Sequence, residues 1–204
     1  DIPPYDDTRL LDEAALLVDW FLPALRGCET PDGLRKEYLG LWRDVLALDH
    51  GVPATLVLRD YHVDNLMHLS DRQGVSACGL LDFQDAVIGP SSYDLVSLLE
   101  DARRDVPAPL AATCLAQYLS AFPELDPDAF RASYAILGAQ RSAKIVGIFT
   151  RLDRRDGKPV YLEHISRVFR WLSGDLEHPA LAKLKAWFDR EIPLVDRTAP
   201  PQQG

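Results

Sequence analysis

The chain has 204 residues, of which 47% are hydrophobic and 26% are charged, and its formal net charge is −9. This length fits one compact globular domain with a sizeable core, while the acidic balance argues against nucleic acid as a partner. No apolar stretch approaches the roughly 20 residues that a membrane-spanning helix needs, so we expect no membrane contact. We also expect the protein to be a monomer in the cytoplasm.

The first elements are an extended segment and two helices. Residues 1–7 read as a hinge or linker, because two consecutive prolines favour an extended backbone. Apolar side chains then recur at helical spacing over residues 10–25, with Asp12 and Glu13 in the first turn. A second helical pattern runs from about residue 32 to residue 48.

A loop and a hairpin follow these helices. The apolar run Leu56-Val57-Leu58 precedes a polar loop. Residues 65–69 and 78–81 read as two short strands that a turn signal separates. An antiparallel hairpin of this kind would bring Asn65 and Asp82 close together at its open end.

The rest of the chain is helical in pattern. Helices are expected at residues 93–102, 109–122, from 126 onwards, 159–172 and 179–188. Asp126 would cap the third of these, with Pro127 at its first position, and residues 196–204 would form a loose tail. The predicted fold is therefore α+β and mostly helical, with a helical lobe over residues 8–195 that carries a small β-hairpin at its cleft.

The polar side chains around the hairpin have the composition that phosphoryl transfer requires. One carboxylate orients an attacking hydroxyl, while an amide oxygen and a second carboxylate hold the magnesium ions that bridge the nucleotide phosphates. Asp60 is the candidate base, and Asn65 and Asp82 are the candidate metal ligands. Asp and Asn are also favoured in turns, so this prediction depends on the hairpin.

These residues resemble the aminoglycoside phosphotransferase and choline kinase superfamily, whose fold is similar to that of protein kinases. The family pattern H-G-D-x-H-x-x-N corresponds to residues 58–65, where Leu58 replaces the first histidine. The pattern I-D-[FW]-x-D-A corresponds to residues 81–86, and G-x-x-x-x-D-L to residues 89–95. The resemblance implies the large, carboxyl-terminal lobe of a protein-kinase-like fold, in which Asp94 braces the catalytic loop.

A more specific resemblance is to the bacterial anomeric N-acetylmuramate/N-acetylglucosamine kinases. It rests on four stretches of the chain, residues 2–6, 19–23, 58–67 and 151–159. It implies magnesium-dependent transfer from ATP to the anomeric hydroxyl of a cell-wall amino sugar during recycling, with the sugar and the nucleotide as partners. The alternatives are an aminoglycoside antibiotic phosphotransferase and, outside the enzymes, a non-catalytic binding module on a kinase-like lobe.

The sequence lacks the motifs of a small kinase lobe. Such a lobe supplies a glycine-rich loop over the phosphates and a lysine on a strand. No G-x-G-x-x-G, no P-loop and no comparable lysine strand occurs here. We therefore expect the carboxyl-terminal lobe alone, which would be inactive as a fragment, or a natural protein without the small lobe.

Three further residues are candidates for support of the loop. His62 could contact the reacting hydroxyl or brace the loop through a backbone carbonyl. Asp85 could bond to a metal ligand or fix the loop through backbone amides. Asp94 begins a helical pattern and would cap that helix, and in the resembled family the cap also orients the loop.

Four residues are candidates for contact with the substrate, and each pair of them has two possible interpretations. Arg141 and Lys144 share a helix face, and they form either a solvated surface or, with residues 151–158, a site for the lactyl carboxylate of N-acetylmuramate. Asp19 and Trp20 either line the sugar site, as the resembled fold implies, or are an exposed acid and a core aromatic. The three cysteines are expected to be small core residues in a reducing compartment.

Overall fold

A computed structural model describes residues 2–47 and 51–201 of the chain. The first residue of the predicted hinge, the end of the predicted second helix and the last three residues of the predicted tail lie outside the described residues. The chain divides into two compact units, one of Asp1–Tyr5 with Gly51–Tyr134 and the other of Asp6–His50 with Ala135–Gly204. The fold is α+β and mostly helical, as the sequence predicts.

The strands described in the first unit form two antiparallel pairs. They are β1 Ala54–Val57, β2 Leu66–His68, β3 Cys78–Leu80 and β4 Val87–Pro90. β2 and β3 make the predicted hairpin, with Leu66 opposite Leu80. β1 pairs with β4, and the sequence reasoning did not find this second pair.

The predicted hinge adds a third row of backbone to the β1–β4 pair. The amide of Tyr5 donates to the carbonyl of Ile88 over 2.7 Å, and the amide of Ile88 donates to the carbonyl of Pro3 over 2.9 Å. Tyr5 is 5% exposed. Residues 3–5 of the segment therefore pack in the first unit, while Asp6 and Asp7 belong to the second unit as the cap and first residue of α1.

The helices of the first unit follow the predicted order with small shifts at their ends. They are α4 Tyr93–Leu99, α5 Ala108–Ala121 and the beginning of α6 Pro127–Asp156. Asp126 caps α6 as predicted, because its carboxylate accepts from the amides of Asp128 and Ala129. The ring of Tyr118 on α5 stacks on Phe130 of α6 at a centroid distance of 5.1 Å.

The second unit is built from helices. They are α1 Asp7–Leu16, α2 Leu22–Arg26, α3 Asp32–Leu46, the remainder of α6, α7 Ile165–Asp175 and α8 Ala182–Glu191. α1 begins earlier than its acidic residues suggest, because the carboxylate of Asp6 caps it by accepting from the Arg9 amide at 2.9 Å. A π-helical turn, Leu17–Phe21, joins α1 to α2, and Gly27 ends α2 with a φ of 70°.

Aromatic side chains fill the core of the second unit. The rings of Phe21 and Phe169 meet edge to face with their centroids 5.1 Å apart, and the ring centroids of Tyr38 and Trp187 are 4.6 Å apart. α6 passes so close to α1 that a Cβ atom at Gly147 would lie 2.3 Å from the carbonyl carbon of Leu16. Only a glycine allows the two helices to approach this closely.

Two expectations change in the structure. The predicted tail is bound at its start, where the buried Arg197 donates to the Ile192 carbonyl and the Asp189 carboxylate. The cysteines are not core residues, since Cys28 and Cys78 are exposed and Cys114 is half-buried. Cys28 follows the glycine that ends α2, and Cys78 lies on an exposed hairpin strand.

None of the described helices combines the length and the apolar composition of a membrane span.

Candidate active site

The loop after β1 is held by a succession of tight backbone turns. The amide of Asp60 donates to the carbonyl of Leu58 over 2.8 Å, and that of His62 donates to the carbonyl of Asp60 over 3.1 Å. The amide of Asn65 then donates to the carbonyl of His62 over 2.9 Å. A short polar loop of this kind can hold side chains in fixed positions because its backbone is internally bonded.

Two non-glycine residues of the described chain have a left-handed backbone, and both lie in this region. The φ angle is 68° at Arg59, which precedes Asp60, and 56° at Asp82. The left-handed region costs an L-residue roughly 1–2 kcal/mol, and such residues cluster at functional sites where surrounding contacts hold them. The backbone is therefore strained at Asp82 itself and at the residue before Asp60.

Asn65 connects the other two predicted site residues. Its amide nitrogen donates to the backbone carbonyl of Asp60 over 2.9 Å and lies 3.5 Å from a carboxylate oxygen of Asp82. The hairpin provides this proximity, since the amide of Leu81 donates to the carbonyl of Asn65 over 2.9 Å. The Asp60 carboxylate is exposed and has no hydrogen-bond partner in the described chain, so it is accessible to a substrate.

Gln84 is a member of this group that the sequence reasoning missed. Its amide nitrogen donates to the other carboxylate oxygen of Asp82 over 2.7 Å. The residue occupies the variable position of the I-D-[FW]-x-D-A pattern, so the motif itself gives no signal for it. Gln84 thus holds one oxygen of Asp82, while the amide nitrogen of Asn65 lies 3.5 Å from the other.

The donor set near Asp82 fits a magnesium ion. Among the described residues no group of three or more His, Cys, Asp or Glu side chains could hold a metal. Magnesium, however, is commonly bound by one or two carboxylates together with substrate phosphates and water, and Asp82 with Asn65 supplies such a set. The amide of Asn65 turns its nitrogen toward Asp82, so that binding a cation here would require a half rotation of the amide.

Asp94 braces the loop from α4. Its two carboxylate oxygens accept from the backbone amides of Leu58 at 2.7 Å and of Arg59 at 3.1 Å. The prediction that Asp94 caps α4 is wrong, because Ser92 occupies the cap position and Asp94 lies inside the first turn. From there its side chain reaches the loop.

Comparisons with known proteins agree with this arrangement. The model of the Phosphotransferase enzyme family (APH) matches residues 1–132, about two thirds of the chain. The chain belongs to this phosphotransferase family. The match includes the loop, the hairpin and Asp94, and this family has the kinase-like fold that the motifs predicted.

Curated relatives of the chain share the same protein name. An N-acetylmuramate/N-acetylglucosamine kinase of Caulobacter vibrioides is 42% identical over 193 residues, which cover 95% of this chain and 53% of that protein. Proteins of the same name are 38% identical in Pseudomonas aeruginosa, over 90% of this chain and 55% of the relative, and 36% identical in Neisseria meningitidis, over 84% and 52%. The chain thus spans about half the length of the curated relatives that it matches.

His62 lies beside the Asn65 amide in this phosphotransferase-family loop. Its Nε2 atom is 3.4 Å from the amide nitrogen of Asn65, and its Nδ1 atom is buried without a hydrogen-bond partner among the described residues. Burial lowers the pKa of the imidazole, and the nearby Arg103 acts in the same direction. The neutral ring that this favours can accept from Asn65, so His62 supports the amide rather than a backbone carbonyl.

The remaining acids of the loop are exposed. Asp85 makes no hydrogen bond within the described residues, so the alternative in which it fixes the loop through backbone amides is wrong. Asp64 forms an ion pair with Arg104, which lowers the pKa of the Asp64 carboxyl. A pair as exposed as this one adds little to stability.

The predicted substrate residues all lie in the second unit. Lys144 pairs with Glu13 at 3.0 Å, with side chains 12% and 13% exposed, and Arg141 is 7% exposed. The solvated-surface interpretation is therefore wrong for Arg141 and Lys144. The physical reason is that this face of α6 packs near α1, where Gln140 also donates to the Leu10 carbonyl at 2.9 Å.

Asp19 and Trp20 line a surface cavity of about 630 Å³. They belong to the π-helical turn, and Trp20 is half-buried rather than a core residue. Asp19 accepts two hydrogen bonds from Arg35, at 2.7 and 3.0 Å. Arg154, a member of the 151–158 run, also lines this cavity.

Substitution of Asp94 should lower both turnover and stability in the full-length protein. Asp94→Ala removes two hydrogen bonds to a charged acceptor, each worth roughly 1.5–3 kcal/mol, and frees the loop that carries Asp60. We expect kcat to fall at least tenfold and the unfolding midpoint in denaturant to fall measurably. Asp94→Asn should also reduce kcat, since an amide oxygen cannot serve both donors as a carboxylate does. A helix cap would tolerate asparagine, so unchanged kinetics in Asp94→Asn would contradict the bracing role.

Proposed function

We propose that this chain is the phosphotransfer lobe of an ATP- and magnesium-dependent amino-sugar kinase, with Asp60, Asn65 and Asp82 as its reaction centre. The observation that carries the proposal is the position of Asn65, which contacts the backbone of Asp60 and the carboxylate of Asp82 at once. Family membership and the names of the relatives support it. The acceptor would be the anomeric hydroxyl of N-acetylmuramate or N-acetylglucosamine, in the recycling of cell-wall sugars.

The chain's own residues would divide the chemistry between them. Asp60 would accept a hydrogen bond from the acceptor hydroxyl, hold its oxygen in line with the γ-phosphorus and take its proton. Asp94, through Leu58 and Arg59, would keep that carboxylate in place. Asn65 and Asp82 would hold magnesium, which when bound offsets the charge on the phosphate oxygens. Gln84 would fix the orientation of the Asp82 carboxylate.

We further propose a location and an oligomeric state for the enzyme. ATP is a cytoplasmic substrate, so the protein would act in the cytoplasm. It would act there as a monomer. The sugar and the nucleotide would be its binding partners, and phosphate charge would be met by magnesium rather than by a basic surface, in keeping with the net charge of −9.

A product assay tests the proposed function. The full-length protein is supplied with ATP, magnesium and one acceptor at a time, from a panel of amino sugars and aminoglycosides. We expect a phosphate monoester on the anomeric oxygen of N-acetylmuramate or N-acetylglucosamine, identified by phosphorus NMR. Phosphorylation of aminoglycosides alone would favour the antibiotic kinase, and no transfer to any acceptor would favour the binding module.

Arg154 is the residue through which we propose that the lactyl carboxylate of N-acetylmuramate is recognised. It lines the same cavity as Trp20, whose half-buried ring could pack against a sugar. A charge-assisted contact with a carboxylate is worth roughly 1.5–3 kcal/mol, so Arg154→Gln should raise the KM for N-acetylmuramate about tenfold or more. The KM for N-acetylglucosamine, which has no carboxylate, should hardly change.

Arg155→Gln is the matched control for this substitution. Arg155 is adjacent, exposed and paired with Asp156 at 2.7 Å, and it does not line the cavity. We expect both KM values to stay at their original level in this variant. Equal losses for both sugars in Arg154→Gln, or the same selective loss in Arg155→Gln, would contradict the proposal.

A further inference from the structure

Arg59 stands where the H-G-D pattern of the family has glycine. Glycine suits that position because the backbone there is left-handed, with a φ of 68°. An arginine in the same conformation is strained, and such a residue persists where contacts of its side chain or backbone hold it. Those contacts connect the loop to the beginning of the described chain.

The guanidinium of Arg59 lies over the ring of Tyr5, 5.5 Å from its centroid. This distance is within the range of a cation–π contact. The Tyr5 ring meets Tyr93 edge to face at 5.1 Å, and the two hydroxyl groups are 3.1 Å apart. The carbonyl of Arg59 accepts from the buried Ser97 hydroxyl at 3.3 Å. The residue before Asp60 is thus held by both its side chain and its backbone.

Tyr5 has this position because of its own backbone contacts. Residues 3–5 pair with β4 in the parallel direction through Ile88, and Tyr5 lies beside Gly89. A Cβ atom at Gly89 would lie 3.0 Å from the Cβ atom of Tyr5, which is too close for an unshifted contact. Gly89 therefore allows Tyr5 to lie where Arg59 can cover it.

We propose that Arg59 and Tyr5 form a pair of positioning residues that sets the orientation of Asp60. The inference rests on the proposed function. Tyr5, fixed on β4, holds the Arg59 side chain, and Arg59 in turn holds the left-handed turn from which the Asp60 carboxylate projects. We expect the contact to affect turnover more than substrate binding, because Arg59 acts on the turn that carries Asp60.

Steady-state kinetics of the full-length protein test the pair. We expect kcat to fall about tenfold in Arg59→Gly and in Tyr5→Leu, with both KM values unchanged within about twofold, because a small displacement of a positioned group costs rate more than affinity. Arg59→Lys and Tyr5→Phe, which keep the cation and the ring, should stay within about threefold of the original kcat. The Tyr5→Leu/Arg59→Gly double variant should be no slower than the slower single variant.

Hydrogen exchange gives a second readout that needs no sugar. The amides of Asp60 and His62 are bonded inside the loop, and they should exchange about tenfold faster in Tyr5→Leu and in Gly89→Ala if the contact holds the loop closed. Amides of α7, in the second unit, should keep their original rates, which excludes global destabilisation. Native kcat in Arg59→Gly, multiplicative losses in the double variant, or unchanged loop exchange would overturn the inference. A wild-type protein that phosphorylates no amino sugar would refute the proposed function, while the exchange data would still decide the role of the pair.

Discussion

Asp60→Asn should reduce the kcat of the full-length protein by about three orders of magnitude while leaving its fold intact. The carboxylate is exposed and has no hydrogen-bond partner in the described chain, so no folded-state contact is lost with its charge. Asparagine has nearly the same shape, but it cannot take the proton of the acceptor hydroxyl. The measurement is single-turnover phosphoryl transfer together with a thermal melt.

Asp64→Asn is the matched control, because it removes the same charge four residues further along the same loop. Asp64 pairs with Arg104 at the surface, and such exposed pairs contribute little. We expect turnover within about threefold of the original, as an exposed pair is worth no more than ~1 kcal/mol. Near-normal rates in Asp60→Asn would show that Asp60 is not the base. Equal losses of turnover in both variants would show that the rate depends on the total negative charge of the loop and not on Asp60 itself.

Gly147→Ala should strongly destabilise the second unit. The added Cβ atom would lie 2.3 Å from the carbonyl carbon and 2.5 Å from the carbonyl oxygen of Leu16. These are backbone atoms of a packed helix, so α6 and α1 must separate for the methyl group to fit. Overpacking of this kind costs typically 1–3 kcal/mol and occasionally more, and for a chain of this length we expect the melting temperature to fall by about 5–10 °C.

Gly40→Ala is the control for the helical backbone itself. Gly40 lies inside α3, and no atom lies within 4 Å of the Cβ atom that alanine would add. Because alanine is the better helix former by roughly 0.5–1 kcal/mol, this substitution should raise the melting temperature slightly. A small decrease or an increase of the melting temperature in Gly147→Ala would show that α1 and α6 are less closely packed than in the structure.

The sequence was sufficient to predict the parts of the site that local patterns encode. The apolar run before Asp60, the turn signal between β2 and β3 and the apolar return to Leu81 together specify the hairpin, and the hairpin brings Asn65 to Asp82. The cap of α6 was predictable for the same reason, since Asp126 and Pro127 are adjacent in the sequence and act on the next turn.

The features that local patterns do not encode depend on contacts between distant residues. The local pattern at Asp94 indicated a helix cap, and only the family resemblance indicated a brace for the loop, because its partners are amides about 35 residues earlier in the chain. Nothing in its own segment could show that. Arg141 and Lys144 looked like surface residues for a related reason, because their burial depends on the neighbouring α1 and on the pair with Glu13.

Metal affinity in the presence of a non-hydrolysable ATP analogue tests the reaction centre most directly, because it needs no knowledge of the acceptor. Manganese binding to the full-length protein can be followed by electron paramagnetic resonance in the wild type, in Asp82→Asn and in Asp71→Asn, where Asp71 is an exposed acid at the far end of the hairpin. We expect Asp82→Asn to weaken manganese binding at least about tenfold, because such a site depends on one or two carboxylates, and Asp71→Asn to leave it unchanged. Equal affinity in the wild type and Asp82→Asn would contradict a metal site at Asn65 and Asp82.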